Sequence, residues 1–257
     1  MDLSVNGPGI YFTIPIFGGI PITQTMVSLL VVSIILIIAA FFIGRRLTVR
    51  PGRFQVIVEK LVSMLYGLVE DTMGKHNLKF APYIGTVFLS SIIGTLIGMT
   101  QVFRSTTADL SVTLAWALVT TVMVWFSSIK NFGFRSWLRG FTEPIVVMTP
   151  MNIVSEIAQP VSMAFRHFGN VAGGSVLTAL IYSALALLSK LVLGWLPAAV
   201  ASIPAFQVGI PAFLSIYFDL FSGFVQALVF SLLTMVYVGA ANPPPPEKTE
   251  KQKEAAN

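Results

Sequence analysis

Residues 25–44 read TMVSLLVVSIILIIAAFFIG, twenty positions without a charge, and Arg45-Arg46 follow at once. A helix of that length is about 30 Å long, the thickness of a bilayer's hydrocarbon core. The run starts too late and is too long for a cleaved signal peptide, and no small-residue cleavage site follows it. Read outward, the same pattern returns. Residues 80–103 and 110–129 are apolar runs bounded by charge, and two longer stretches occupy about 150–194 and 205–241. Between these last two, GWLPAAVASIPAF carries Pro197 and Pro204 and reads as the loop of a helical hairpin. Each of the two is longer than one perpendicular crossing needs, which predicts steep tilt.

Composition agrees with this reading. Of 257 residues, 55% are hydrophobic and 11% are charged, against roughly 25% charged in a soluble domain. The mean hydropathy is +0.81. Too few charges remain to coat a soluble globule, which excludes disorder, a coiled coil and an ordinary cytosolic enzyme. With no cysteine and only His76 and His167 as histidines, disulfides, thiolate metal sites and His-rich metal sites are excluded as well. The expected fold is an all-α integral membrane protein with five crossing helices, the last two forming a long tilted hairpin.

Segment 51–75 differs. Phe54, Ile57, Val58, Leu61, Leu65 and Leu68 share one helical face, while Gln55, Glu59, Ser63 and Glu70 share the other. With Pro51 in the first turn, this predicts an amphipathic helix in the membrane interface. Lys and Arg mark the cytoplasmic side. Arg45, Arg46, Arg50 and Arg53 follow the first run, Lys130, Arg135 and Arg139 follow the third, and Lys248, Lys251 and Lys253 lie in the tail. Five crossings then put the N-terminus outside and the C-terminus inside. Residues 1–242 read as one membrane domain, and 243–257, opening on four prolines, as a disordered cytoplasmic tail. No convincing internal repeat is visible, which counts against a stand-alone secondary transporter.

Arg166 carries the chemistry. It has apolar helix on both sides, cannot lose its proton, and costs at least ~2.5 kcal/mol at membrane depth. Snorkelling is the bland alternative, but ten residues, or about 15 Å of helix, separate Arg166 from Glu156 near the span's start. Ser162 and Asn170 stand at i−4 and i+4 on the same face. Gly169 and Gly173 add small residues, fit either for packing within the chain or for sliding contact with a partner. Asp219 is the second deep charge, and a carboxylate there suits proton relay. At α-helical spacing Gly223 and Gln226 share its face. Gln226 in an apolar helix needs a hydrogen-bond partner, and interhelical linkage alone would explain it. His167, about 100° around the helix from Arg166, reads as packed or hydrogen-bonded rather than as a relay. Asp109 and Glu156, near span ends, suit solvated or capping roles. An intramembrane hydrolase lacks a nucleophile–base pair, and no Gly-rich phosphate loop is present.

The segments PVSMAFRHFGNVAGG (160–174), QALVFSLLTMVY (226–237), TADLSVTLAWAL (107–118) and PGRFQ (51–55), in this order and spacing, resemble subunit a of the bacterial-type rotary F-type ATP synthase over about 25–241. The resemblance implies an ion channel subunit of the Fo sector, most readily for protons, that binds no nucleotide, nucleic acid, cofactor or metal. Its implied partners are the ring of c subunits, b-type peripheral stalk subunits, the rest of the F1Fo complex and the bilayer of a bacterial plasma membrane. It assigns Arg166 as the essential charge facing the ring's carboxylates. Ser162 and Asn170 match polar positions of the cytoplasmic half-channel, Gln226 matches a glutamine packed opposite the arginine, and Asp219 matches the ionisable position of the external half-channel. Two positions depart from the pattern. Ser175 stands where relatives carry an acid or histidine, and His167 stands where an apolar residue is usual.

Overall fold

The computed structural model describes residues 9–15, 19–100, 103–193 and 216–245. The helices are α1 (Gln24–Arg45), α2 (Arg53–Met73), α3 (Ala81–Met99), α4 (Leu110–Phe132), the short α5 (Phe134–Gly140), α6 (Thr149–Leu193) and α7 (Gly223–Ala241). A 3-10 segment, Lys75–Phe80, leads into α3, and a π-helical segment, Ile216–Ser222, leads into α7. Five stretches are long and apolar enough to cross a membrane: Gln24–Arg45, Lys75–Met99, Leu110–Phe132, Val146–Val192 and Leu220–Ala241. The protein is therefore an all-α membrane protein with the expected number of spans. The expected hairpin loop and the tail beyond Pro245 lie outside the described residues. One element was not foreseen: strands Ile10–Ile14 and Ile20–Thr23 pair antiparallel just before α1.

The helices pack with their polar residues inward. On α1 the buried side chains are Thr25, Ser28 and Val32, whereas Leu30, Ile34, Ile37, Phe41 and Phe42 are exposed. Ser91, Thr95, Thr113 and Thr120 are buried in the same way on α3 and α4. In lipid, apolar surface gains nothing by hiding, while small and hydroxylated residues let helices approach and bond. Many of these hydroxyls bond to the carbonyl one turn earlier on their own helix, as Thr95 does to Ser91 at 2.9 Å and Thr120 to Trp116 at 3.1 Å.

Two apolar clusters hold the bundle. Val69 and Met73 of α2 meet Ala81 and Ile84 of α3 and Met235 and Val238 of α7. Val87 of α3 and Ala117 of α4 meet Met163 and Ala164 of α6 and Phe230 of α7. The first cluster anchors only the C-terminal half of α2; Phe54, Ile57 and Leu61 of its apolar face stay exposed. Close approach of α3 and α7 depends on Gly223, where a Cβ would lie 2.7 Å from Thr95 Cγ2. The end of α7 is clamped by side chains from elsewhere. Asn131 Nδ2 donates to the Ala241 carbonyl at 2.8 Å, and His76 Nε2 and Asn77 Nδ2 reach the Asn242 carbonyl at 2.8 and 3.0 Å. These bonds occupy carbonyls that a helix end leaves without intrahelical partners.

Candidate functional site

Helix α6 is continuous over its 45 residues, with Pro160 inside it. A proline has no N–H to give the carbonyl four residues back, so the Glu156 carbonyl lacks its usual helical partner. Six residues on stands Arg166. The buried side of this stretch is Met163, Ala164, His167 and Gly174, in which His167 follows Met163 by four residues and Ala164 by three, and Gly174 follows His167 by seven. The opposite side, Ser162, Phe165, Arg166, Gly169, Asn170 and Gly173, is exposed. Arg166 makes no hydrogen bond or ion pair with any described residue; the ion pair among them is Lys75–Glu70. A Cβ built on Gly169 or Gly173 would meet nothing within 4 Å. Helix packing among the described residues therefore does not account for these glycines. They form an open strip of small surface beside the arginine.

Two bonds fix how α6 is turned. His167 is buried at 1% exposure, lies within hydrogen-bond distance of Ser91 on α3 (Nε2 to Oγ 3.0 Å), and sits edge-on to Trp116 and Phe230. This is the packed, hydrogen-bonded histidine that the spacing predicts. One turn beyond Arg166, Asn170 Nδ2 donates to Gln226 Oε1 at 2.6 Å. Gln226 is buried, so the partner it needs is found across the α6–α7 contact.

The remaining candidates divide. Asp109 caps α4, accepting from the Ser111 amide at 2.9 Å, and also accepts the Thr25 hydroxyl of α1. It ties two helices together. Glu156 accepts the indole N–H of Trp125 on α4. Ser175 lies nine residues after Arg166 in α6. Asp219 lies in the π-helical segment, not in an α-helix. The i+4 and i+7 spacing that would align it with Gly223 and Gln226 assumes 3.6 residues per turn. A π turn closes i→i+5 bonds and rotates less per residue, so steps counted from Asp219 are not those of a regular α-helix. Among the described residues no group of three or more His, Cys, Asp or Glu could hold a metal ion. Sequence reasoning missed Ser91 and Trp125. A signal for the second existed: an indole N–H in an apolar span needs an acceptor, and Glu156 opens the next long span.

Known proteins decide what this helix belongs to. The family described as ATP synthase A chain matches residues 25–239. The chain belongs to that family. It is 31% identical to the protein named ATP synthase subunit a, sodium ion specific, of Propionigenium modestum, covering 91% of this chain and 84% of the relative. It is 33% identical to ATP synthase subunit a 1 of Crocosphaera subtropica (86% and 87%), and 29% identical to ATP synthase subunit a of Moorella thermoacetica (86% and 91%). As an ATP synthase a chain it is a multi-pass, non-catalytic subunit of the F1Fo complex, with a role in Fo ion conduction. The family match takes in both segments that carry Arg166 and Gln226, so the resemblance read from those residues is membership.

Proposed function

We propose that this chain forms two offset half-channels against a rotating ring of c subunits and couples transmembrane proton flow to rotation, and so to ATP synthesis. The observation that carries the reading is Arg166: a permanent charge in an apolar helix, unpaired among the described residues and set in an open strip of Gly169, Gly173, Ser162 and Asn170. A charge so placed needs a counter-charge from beyond the described residues, and a carboxylate on each passing ring subunit supplies it. Arg166 forces that carboxylate to ionise opposite it and bars direct proton passage between the half-channels. Ions then ride the ring almost full circle. One charge crossing 100 mV releases ~2.3 kcal/mol, so several crossings serve each ATP.

In this reading Ser162 and Asn170 belong to the cytoplasmic path and Asp219 to the external one. The peripheral stalk holds the chain against the torque. The N-terminus lies outside and the C-terminus in the cytoplasm of a bacterial plasma membrane, and the chain itself binds no nucleotide. Arg166→Ala in assembled complexes tests the reading. ATP synthesis by energised inverted vesicles should disappear, and Arg166→Lys should largely fail too, because an ammonium can shed its proton in low dielectric and lacks the planar fork. Normal synthesis by Arg166→Ala would overturn it. Repeating the assay with and without added sodium separates the two candidate ions.

A further inference from the structure

The end of α1 and the start of α2 enclose a cleft of about 410 Å³. α1 lends it Ala39, Phe42 and Ile43, α2 lends it Phe54 and Gln55, and Arg46 and Leu47 close the angle between them. The angle is set by hydrogen bonds. The Thr48 amide donates to Gln55 Oε1 at 3.1 Å, and Gln55 Nε2 donates back to the Thr48 carbonyl at 2.9 Å, so one side chain holds both backbone groups of Thr48. The Thr48 hydroxyl donates to the Arg50 carbonyl at 2.9 Å. Packing contributes little here: α1 and α2 scarcely touch, and Phe42, Leu47 and Phe54 are each more than half exposed.

The mouth of the cleft is cationic. Residues 45–58 include Arg45, Arg46, Arg50 and Arg53 and no acid. The first acid, Glu59, accepts from Gln55 Nε2 at 2.7 Å and lies six residues, or ~9 Å of helix, beyond Arg53. α2 starts after Gly52 with no side-chain cap and no acid in its first turn, so its positive end adds to the arginines. Arg46, Arg50 and Arg53 form no ion pair with a described residue. Arg45 differs: its guanidinium lies 4.3 Å from the centroid of the Phe41 ring, and it does not line the cleft. Below the mouth the slot is apolar down to Ala39, seven residues or ~10 Å of helix from Arg46. A cationic mouth over an apolar slot matches an amphiphile with an anionic head. A small soluble anion would leave the slot empty, and a neutral lipid or an apolar helix would leave the arginines unmatched.

We propose that this cleft binds one anionic phospholipid, its phosphate held by Arg46 together with Arg50 and Arg53, and one acyl chain lying in the slot beside Ala39, Ile43 and Phe54. Guanidinium forks suit phosphate oxygens, and basic pockets at the cytoplasmic ends of membrane helices suit such headgroups. The lipid covers part of the apolar face of α2 that the rest of the chain leaves bare. It fastens the unanchored end of α2 to α1 where the two helices do not reach each other. Arg45, held on Phe41, takes no part. Ion conduction at Arg166 does not enter into this binding.

Fluorescence quenching tests it. Phe54→Trp puts an indole on the cleft wall, read as the difference from the parental chain, whose four tryptophans lie elsewhere in the sequence. In phosphatidylcholine vesicles, phosphatidylglycerol with brominated acyl chains should reach half-maximal quenching at a mole fraction about tenfold below that of brominated phosphatidylcholine. Arg46→Gln combined with Arg50→Gln should remove this preference, and Arg45→Gln should keep it. Diffuse attraction to an anionic surface would instead make Arg45→Gln weaken it as well. Ala39→Phe keeps every charge but fills the slot, and should raise the half-quenching fraction of the brominated phosphatidylglycerol several-fold. Glycerol phosphate, a head without chains, should not displace the lipid even in excess. Every substituted position is exposed, so each variant should keep the parental circular dichroism. Equal quenching by the two brominated lipids, a lost preference in Arg45→Gln, an unaffected Ala39→Phe or displacement by glycerol phosphate would each overturn the proposal. The same titration on assembled complexes decides between lipid and protein: a retained preference supports a resident lipid, and a preference lost on assembly means that a partner's helix fills the cleft.

Discussion

Gly169 and Gly223 should respond to the same substitution with opposite signs. Both are helical glycines in the hairpin, and replacing either by alanine removes a residue that costs a helix interior about 1 kcal/mol. At Gly169 a new Cβ would meet nothing within 4 Å, so Gly169→Ala should raise the chain's stability by up to about 1 kcal/mol. At Gly223 the Cβ would lie 2.7 Å from Thr95 Cγ2. Thr95 is branched and bonded through Oγ1 to the Ser91 carbonyl at 2.9 Å, so it cannot step aside without losing that bond. Overpacking of this kind costs typically 1–3 kcal/mol, which outweighs the helix gain and leaves Gly223→Ala destabilised by up to about 2 kcal/mol. Denaturant titration of the purified chain in detergent micelles, followed by circular dichroism, reads both. Gly169→Leu separates stability from function: leucine ranks close to alanine as a helix former, so the chain should again be at least as stable as the parent, but ATP-driven pumping by the complex should fall more than tenfold, because the added bulk enters the strip assigned to the ring. A loss of 1 kcal/mol or more in Gly169→Ala would refute the reasoning, since it would mean that the glycine is packed inside the chain after all.

Other expectations are more compact. Asn170→Leu should lower proton flux in vesicles partly and less than Arg166→Ala does; equal losses would show the ranking of the two residues to be wrong. Gln226→Leu should cost about 1 kcal/mol through the lost bond to Asn170, read in the same micelle titration, and no change would remove that bond from the account. Asp219→Asn should slow proton uptake from the external face strongly, and Ser175→Glu should restore part of it; parental pumping by the single variant sinks the relay role, and failure of the double variant sinks only the pairing. Asn131→Ala should speed hydrogen exchange at Val238–Asn242 without altering exchange in α6, since it removes donors from the end of α7 alone.

The spans were legible because twenty-residue apolar runs bounded by charge admit few other readings in water or lipid. The buried place of His167 was legible too, since a step of one residue turns the side chain about 100° from Arg166. Features that depend on contacts between helices were hidden. The N-terminal strand pair is short, and a window long enough to find a span averages it away, although IYFTI and IPIT flank a Gly18-Gly19 turn signal. The π-helical segment around Asp219 cannot be seen by counting in steps of 3.6. The bonds from Ser91 to His167 and from Trp125 to Glu156 join residues 76 and 31 positions apart, and periodicity on one helix is silent about the helix that will lie against it. For the glycines taken alone, sequence left packing and partner contact equally open and, beside the arginine, favoured a partner; the open space around Gly169 and Gly173 argues against packing among the described residues.

His167 and Asn170 tie α6 to two different neighbours, α3 and α7, one residue and four residues past Arg166. Under the proposed function that arrangement has a mechanical meaning. A ring dragging a carboxylate past a fixed cation pushes the cation sideways, and a helix held only by greasy contacts would roll about its own axis and let the charge swing with the load. Bonds leaving toward two separate helices oppose such rolling, as two guy-lines at different bearings steady a mast. Much of the force on Arg166 would then pass into α3 and α7 within a turn of where it arises. Loosening either tether should show first as slip, with ions crossing and no torque delivered, before any loss of fold.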